Sequence, residues 1–105
     1  MQNDDITLES WSIHKLLQNI LTGDVKAAND QFSNIHFEVG LSYDAIFTGI
    51  IDEVDKMPLE KSIIQKMIDT TGTYAYRLSD SDVNKNLQTR CYLNSLAMIA
   101  GKSKV

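Results

Sequence analysis

Three side chains in this sequence have the chemistry of nucleophiles or metal ligands. They are His14 and His36, the only histidines, and Cys91, the only cysteine. A thiol beside an imidazole is the core of a nucleophilic hydrolase, and the same groups ligate zinc. The spacing supports neither. No His-Glu-x-x-His, Cys-x-x-Cys or Glu-x-x-His pattern occurs, so no local turn sets two ligands on one face. The plainer expectation is two histidines at surface or boundary positions and a buried thiol. No catalytic residue, metal or cofactor is expected, and the chain is not expected to be an enzyme.

Carboxylates offer a second chemistry. Asp52, Glu53 and Asp55 crowd the end of one amphipathic segment. Crowding raises a carboxyl pKa and can make a general acid. Here, however, the three lie opposite Ile50, Ile51 and Val54, on the solvated face. Acids near a helix C-terminus oppose the helix dipole, which hints at a partner-facing use. The segment 79–86 is the most polar in the chain, with Ser79, Asp80, Ser81, Asp82, Asn84 and Asn86. It reads as a loop between helices, and loops carry binding more often than their share of residues. Tyr74 and Tyr76 lie about 200° apart on a helix, so one of them is exposed. Tyr76 joins the candidate interface residues as an aromatic anchor.

These residues must be positioned by helices. Thr7 can cap a first helix carrying Leu8, Trp11, Ile13, Leu16, Leu17, Ile20 and Leu21, stopped by Gly23. Asp24 caps a second, with Val25, Ala28, Phe32, Ile35 and Val39 stepping by three and four; Phe37 falls off that stripe, and Gly40 ends the helix. Ser42 caps a third with Tyr43, Ile46, Phe47, Ile50, Ile51 and Val54. Pro58 ends it and suits the first turn of a fourth. That fourth helix runs from about Leu59 to about Arg77, with a kink or break expected at Thr70-Thr71-Gly72-Thr73. The last spans about 87–100 and offers Cys91, Tyr92, Leu93, Leu96 and Ile99 to the core. No segment alternates well enough for a strand. The expected fold is all-α, an irregular antiparallel bundle of about five helices. Residues 1–105 form one domain, with 1–6 and 102–105 frayed. Trp11 is expected in the core, where Trp11→Ala would cost about 3–5 kcal/mol.

Composition narrows the class further. The chain has 105 residues, 43% hydrophobic and 23% charged, with one proline and five glycines. Net charge is −4. No basic stripe exists beyond Lys102 and Lys104, so nucleic acid is not an expected partner. No apolar run approaches the length of a membrane span. The chain opens Met1-Gln2-Asn3-Asp4-Asp5 without an export signal, so a cytoplasmic location is expected, or a periplasmic one if a signal was trimmed.

Three fragments in order, Trp11-Ser12-Ile13, Phe37-Glu38-Val39-Gly40 with Tyr43 following, and Leu87 with Arg90-Cys91, make the sequence resemble the type VI secretion amidase immunity proteins (the Tai or Rap family). The resemblance covers about residues 7–100. It implies a small helical protein that binds a cognate toxin effector, an amidase or a cytosolic toxin, and occludes its active site with protruding loops. The segment 79–86 would be the plug, with Asp80 and Asp82 meeting basic or donor groups. Asp52, Glu53, Asp55 and Tyr76 would be secondary contacts. A homodimer through the second helix is a further possible partner. In the family the late cysteine pairs with one in the first helix; the matching position here is Leu16, so that disulfide is absent. The competing expectation is a helical adaptor or inhibitor of another class, such as a phage-encoded inhibitor or a secretion chaperone.

Overall fold

The computed structural model describes residues 8–101. The Thr7 cap, the ends at 1–6 and 102–105, and Lys102 and Lys104 lie outside the described residues. Among these residues the fold is all-α, with no strand. Five helices follow one another: α1 Leu8–Leu21, α2 Val25–Asn34, α3 Tyr43–Asp55, α4 Lys61–Leu78 and α5 Lys85–Gly101. A π-helical turn, Ile35–Val39, extends α2.

The helix ends follow from the residues at them. Gly23, at φ +81°, closes α1. Its N–H reaches Ile20 O at 3.0 Å and the Asp24 N–H reaches Asn19 O at 3.0 Å, the paired bonds of a Schellman stop. Asp24 then turns to cap α2, accepting from Ala27 N at 3.1 Å. Ser42 caps α3 in the same way, accepting from Ala45 N at 3.1 Å. Both satisfy backbone donors that a helix start leaves unpaired. Gly40, at φ +89°, closes the π turn, its N–H bonding Ile35 O at 3.0 Å. The wider turn keeps Ile35 fully buried and leaves Phe37 71% exposed.

Each helix buries one stripe in a shared core: Ile13, Leu16, Leu17 and Ile20 from α1, Phe32 from α2, Ile46, Phe47, Ile50 and Val54 from α3, Ile63 and Met67 from α4, Leu93 and Leu96 from α5. Helices α3, α4 and α5 pack in sequence, and α5 returns against α1 and α2 to close the bundle. A line of rings runs through it. His36 stacks on Tyr43 at 4.3 Å, Tyr43 on Phe32 at 6.0 Å, and Phe47 meets the edge of Tyr92 at 5.2 Å and 88°.

Four sequence expectations need correction. Pro58 lies in the connection before α4, which starts two residues beyond Leu59 with Glu60 as its cap residue. The expected break at 70–73 is absent, and α4 runs unbroken to Leu78. Thr71 explains this: it is buried, its hydroxyl bonds Met67 O at 2.8 Å and Tyr92 Oη at 2.7 Å, and packing overrides the weak local propensity. Cys91 is exposed, not buried, because Tyr92, Leu93 and Leu96 occupy the inward face of α5. Trp11 is 50% exposed, its ring covered by the Lys15 ammonium at 5.1 Å. The first helix has more apolar residues than the core has room for, and Leu16 and Leu17 take the buried places.

Trp11→Ala is therefore expected to cost about 1 kcal/mol, well below the full cost of deleting a core ring. Urea unfolding monitored by helical circular dichroism measures it. Tyr92 makes a second expectation. Burial holds its phenol well above the usual range near 10. The folded chain keeps the proton where the unfolded chain releases it. Stability from this group is whole below pH 10 and declines above it by about 1.4 kcal/mol per pH unit. Denaturation midpoints measured from pH 8 to pH 11 should be level at first and then fall.

Candidate functional site

The polar segment expected as a binding loop is short and bonded to itself. Helix α5 begins at Lys85, so only residues 79–84 connect it to α4. Ser79 Oγ donates to Tyr76 O at 2.6 Å. Asp80 Oδ1 accepts from Asp82 N at 2.9 Å. Lys85 Nζ crosses back to Leu78 O at 2.9 Å and Asp80 O at 3.2 Å, neutralising the carbonyl end of α4. Asn84 caps α5 through Leu87 N at 3.0 Å. Ser81 and Asp82 remain exposed at the tip. Tyr76 is 81% exposed on the last turn of α4 beside this connection. Asn86 belongs to α5 and lines a separate pocket with His36.

The acidic trio divides as well. Glu53 is half-buried and its Oε2 lies 3.4 Å from His14 Nδ1. Asp52 and Glu53 line a groove between α1 and α3 that also includes Ser10, Gly49 and Lys56. Gly49 lets the two helices approach: a Cβ there would sit 3.2 Å from Ile13 Cγ1. Asp55 is exposed outside that groove. The three groups with nucleophile or ligand chemistry do not converge. His14 pairs with Glu53, His36 Nδ1 donates to Leu41 O at 2.8 Å, and Cys91 is on the outside of α5. Among the described residues, no three His, Cys, Asp or Glu side chains are grouped to hold a metal ion.

The strongest surface feature was not singled out from the sequence. Leu87 is 55% and Met98 63% exposed, and Cys91 and Asn94 are exposed between them. Positions 87, 91, 94 and 98 advance by four, three and four, which holds them within about 60° of one another on a helix. This is the spacing of a helix seam built to meet another helix. Asn94 Nδ2 lies 3.8 Å from Met98 Sδ along it. Val25 of α2 flanks one side of the seam, with Arg90. On the other side lies an open groove between α4 and α5 of about 400 Å³, lined by Tyr74, Arg77, Ser95, Met98 and Ile99. The Arg77 guanidinium is held over Tyr74 at 5.0 Å. A ridge of uncharged, mostly apolar side chains beside a mixed groove has the composition of a docking surface. The signal was present in the 4-3-4 spacing. It was masked because α5 carries apolar residues on its inward face too.

Residues 10–93 match the family model of the Replication factor C C-terminal domain. A Replication factor C small subunit from Archaeoglobus fulgidus is 28% identical over 88 residues, covering 84% of this chain and 27% of that protein. The chain thus spans about a quarter of the length of the curated relative it matches. These matches overturn the resemblance to type VI secretion amidase immunity proteins, because they extend along most of the chain where the resemblance rested on three short fragments. The expected function, inhibition of a toxin effector, is corrected with it, and so is the role of residues 79–86 as a plug. The competing phage-inhibitor or chaperone expectation is displaced as well. The expected partner, a toxin effector, is corrected with the function, and the exclusion of nucleic acid no longer follows. No helix among the described residues is long and apolar enough to cross a membrane.

Proposed function

The chain belongs to the Replication factor C C-terminal domain family, and from that membership we propose that it is an assembly domain of a clamp-loader complex. It joins the helical domain of a neighbouring subunit and through the complex serves a sliding clamp and DNA. The observation that carries this reading is the outward seam of α5, Leu87, Cys91, Asn94 and Met98, exposed on a folded bundle whose core is already filled. Two such helices can bury their seams together, and the polar ends at Arg77 and Arg90 leave charged rims around an apolar centre.

In this reading the domain performs no catalytic step. His14, His36 and Cys91 occupy three separate environments, and its work is done by surface contact. A cytoplasmic location is part of the same proposal. The test is to mix the chain with the other clamp-loader subunits of the source cell and follow mass by size exclusion with light scattering. Co-elution at a defined stoichiometry supports the reading. Separate elution of every component at micromolar concentration rejects it.

A further inference from the structure

A second feature lies beside the α5 seam and shares Arg90 with its rim. A small, largely enclosed pocket lies between the end of α2, the start of α3 and the first turns of α5. Its polar lining is Asn29, Ser33, His36, Asn86, Thr89 and Arg90, and no carboxylate is among its lining residues. Five of these six side chains, all but His36, make no hydrogen bond or ion pair with any described residue. Thr89 is the most telling. It is only 6% exposed, yet its hydroxyl has no partner among the described residues. A buried hydroxyl without a partner is costly to keep and points to a ligand.

The chemistry of that ligand follows from the lining. Arg90 offers a planar fork of donors suited to phosphate or carboxylate. Asn29 and Asn86 add amide donors, and Ser33 and Thr89 add hydroxyls. Asn86 stands in the first turn of α5, where the helix dipole favours negative charge, and Thr89 and Arg90 follow one turn on. His36 is fixed by its Nδ1 bond to Leu41 O and by the Tyr43 ring stacked at 4.3 Å. The cavity is about 50 Å³, room for roughly three to five water-sized groups, which suits one tetrahedral oxyanion. At the rim Phe37 is 71% exposed, its ring held edge-on to His36 at 4.7 Å. An exposed ring beside an anion pocket is a platform for a planar base. A net charge of −4 repels a strand of many phosphates and tolerates one.

We propose that this pocket binds the phosphate of a mononucleotide, with Arg90, Asn86 and Thr89 on the phosphate and Phe37 under the base. The test is an NMR titration of the labelled chain with thymidine 5′-monophosphate, inorganic phosphate and thymidine. The monophosphate shifts the amides of Asn86, Thr89 and Arg90 and saturates. Arg90→Ala weakens it by about tenfold, the loss of one charge-assisted pair. Phe37→Ala weakens the monophosphate by about fivefold and leaves inorganic phosphate unchanged, as loss of stacking requires. Arg90 is exposed, so its variant keeps the helical spectrum; Arg90→Gln gives the same reading should Arg90→Ala misfold. No saturable shift at millimolar monophosphate, or shifts that survive both Arg90 variants, overturns the assignment. Inorganic phosphate bound as tightly as the monophosphate removes the base and Phe37 from it.

Discussion

Replacing Leu87 and Met98 together with aspartate is expected to leave a folded domain that no longer joins the subunits proposed as its partners. Both side chains are more than half exposed, so the bundle loses little by their removal. An aspartate at 87 sits in the first turn of α5, where the dipole favours it; one at 98 sits near the C-terminal end, where the dipole opposes it. These effects are each within about 1 kcal/mol and opposite in sign. The interface is affected far more. An anchor in the centre of an interface is worth about 2 kcal/mol or more. A carboxylate forced into that centre adds the cost of burying an unpaired charge. The combined loss should be at least about 100-fold in affinity, since each 1.4 kcal/mol is tenfold. Sedimentation of the double variant with its partner subunits measures it, and circular dichroism confirms the fold.

Tyr92→Ala is expected to be the most damaging of the core substitutions, removing a large part of the stability of the chain. Tyr92 is fully buried, with Phe47 at its edge and the Tyr74 ring at 5.5 Å. Its hydroxyl holds the buried Thr71, 2.7 Å away. Thr71 has one proton and donates it to Met67 O at 2.8 Å, so Tyr92 donates and Thr71 accepts. Removing the ring costs about 3–5 kcal/mol, out of a total of about 5–15 kcal/mol for a domain. Two milder variants separate packing from hydrogen bonding. Tyr92→Phe keeps the ring and loses one bond, about 1 kcal/mol. Thr71→Val leaves the Tyr92 hydroxyl buried without a partner, about 1–3 kcal/mol. Urea midpoints ordered Phe, then Val, then Ala, from least to most damaging, would establish the pair as the link between α4 and α5.

Much of this fold was legible in the sequence. Asp24 and Ser42 are short acceptors placed just before apolar stripes, and Gly23 and Gly40 stand where those stripes end. Such local chemistry acts within one turn, and it set the helix boundaries nearly where they are found. What failed needed knowledge of neighbours. Thr70 to Thr73 read as weak because helix propensity is local, whereas Tyr92 stabilises Thr71 from twenty-one residues away. Trp11 read as core because the apolar face of α1 is wider than the partner surface it meets. Cys91 read as core because α5 has two apolar faces, and only the packing tells which one is inside.

The mistaken family resemblance has a similar cause. Trp11, Phe37, Glu38, Arg90 and Cys91 are all exposed, and Gly40 is a helix stop. A tryptophan early in a helix and a Glu-x-Gly at a helix end occur wherever amphipathic helices are joined by tight turns. They report helix chemistry and carry little information about partners. The candidate docking seam was equally visible, as four positions at 4-3-4 spacing, but a helix seam can face inward as readily as outward.

Cys91 provides the most direct check on that seam, because it is the one thiol in the chain and lies at its middle. Its rate of maleimide labelling can be compared in the free chain and in the proposed complex with clamp-loader subunits. Rapid labelling when free and near-complete protection in the complex is the predicted result. Equal rates in both states would show that α5 still faces water after assembly, and the proposed docking surface would be wrong.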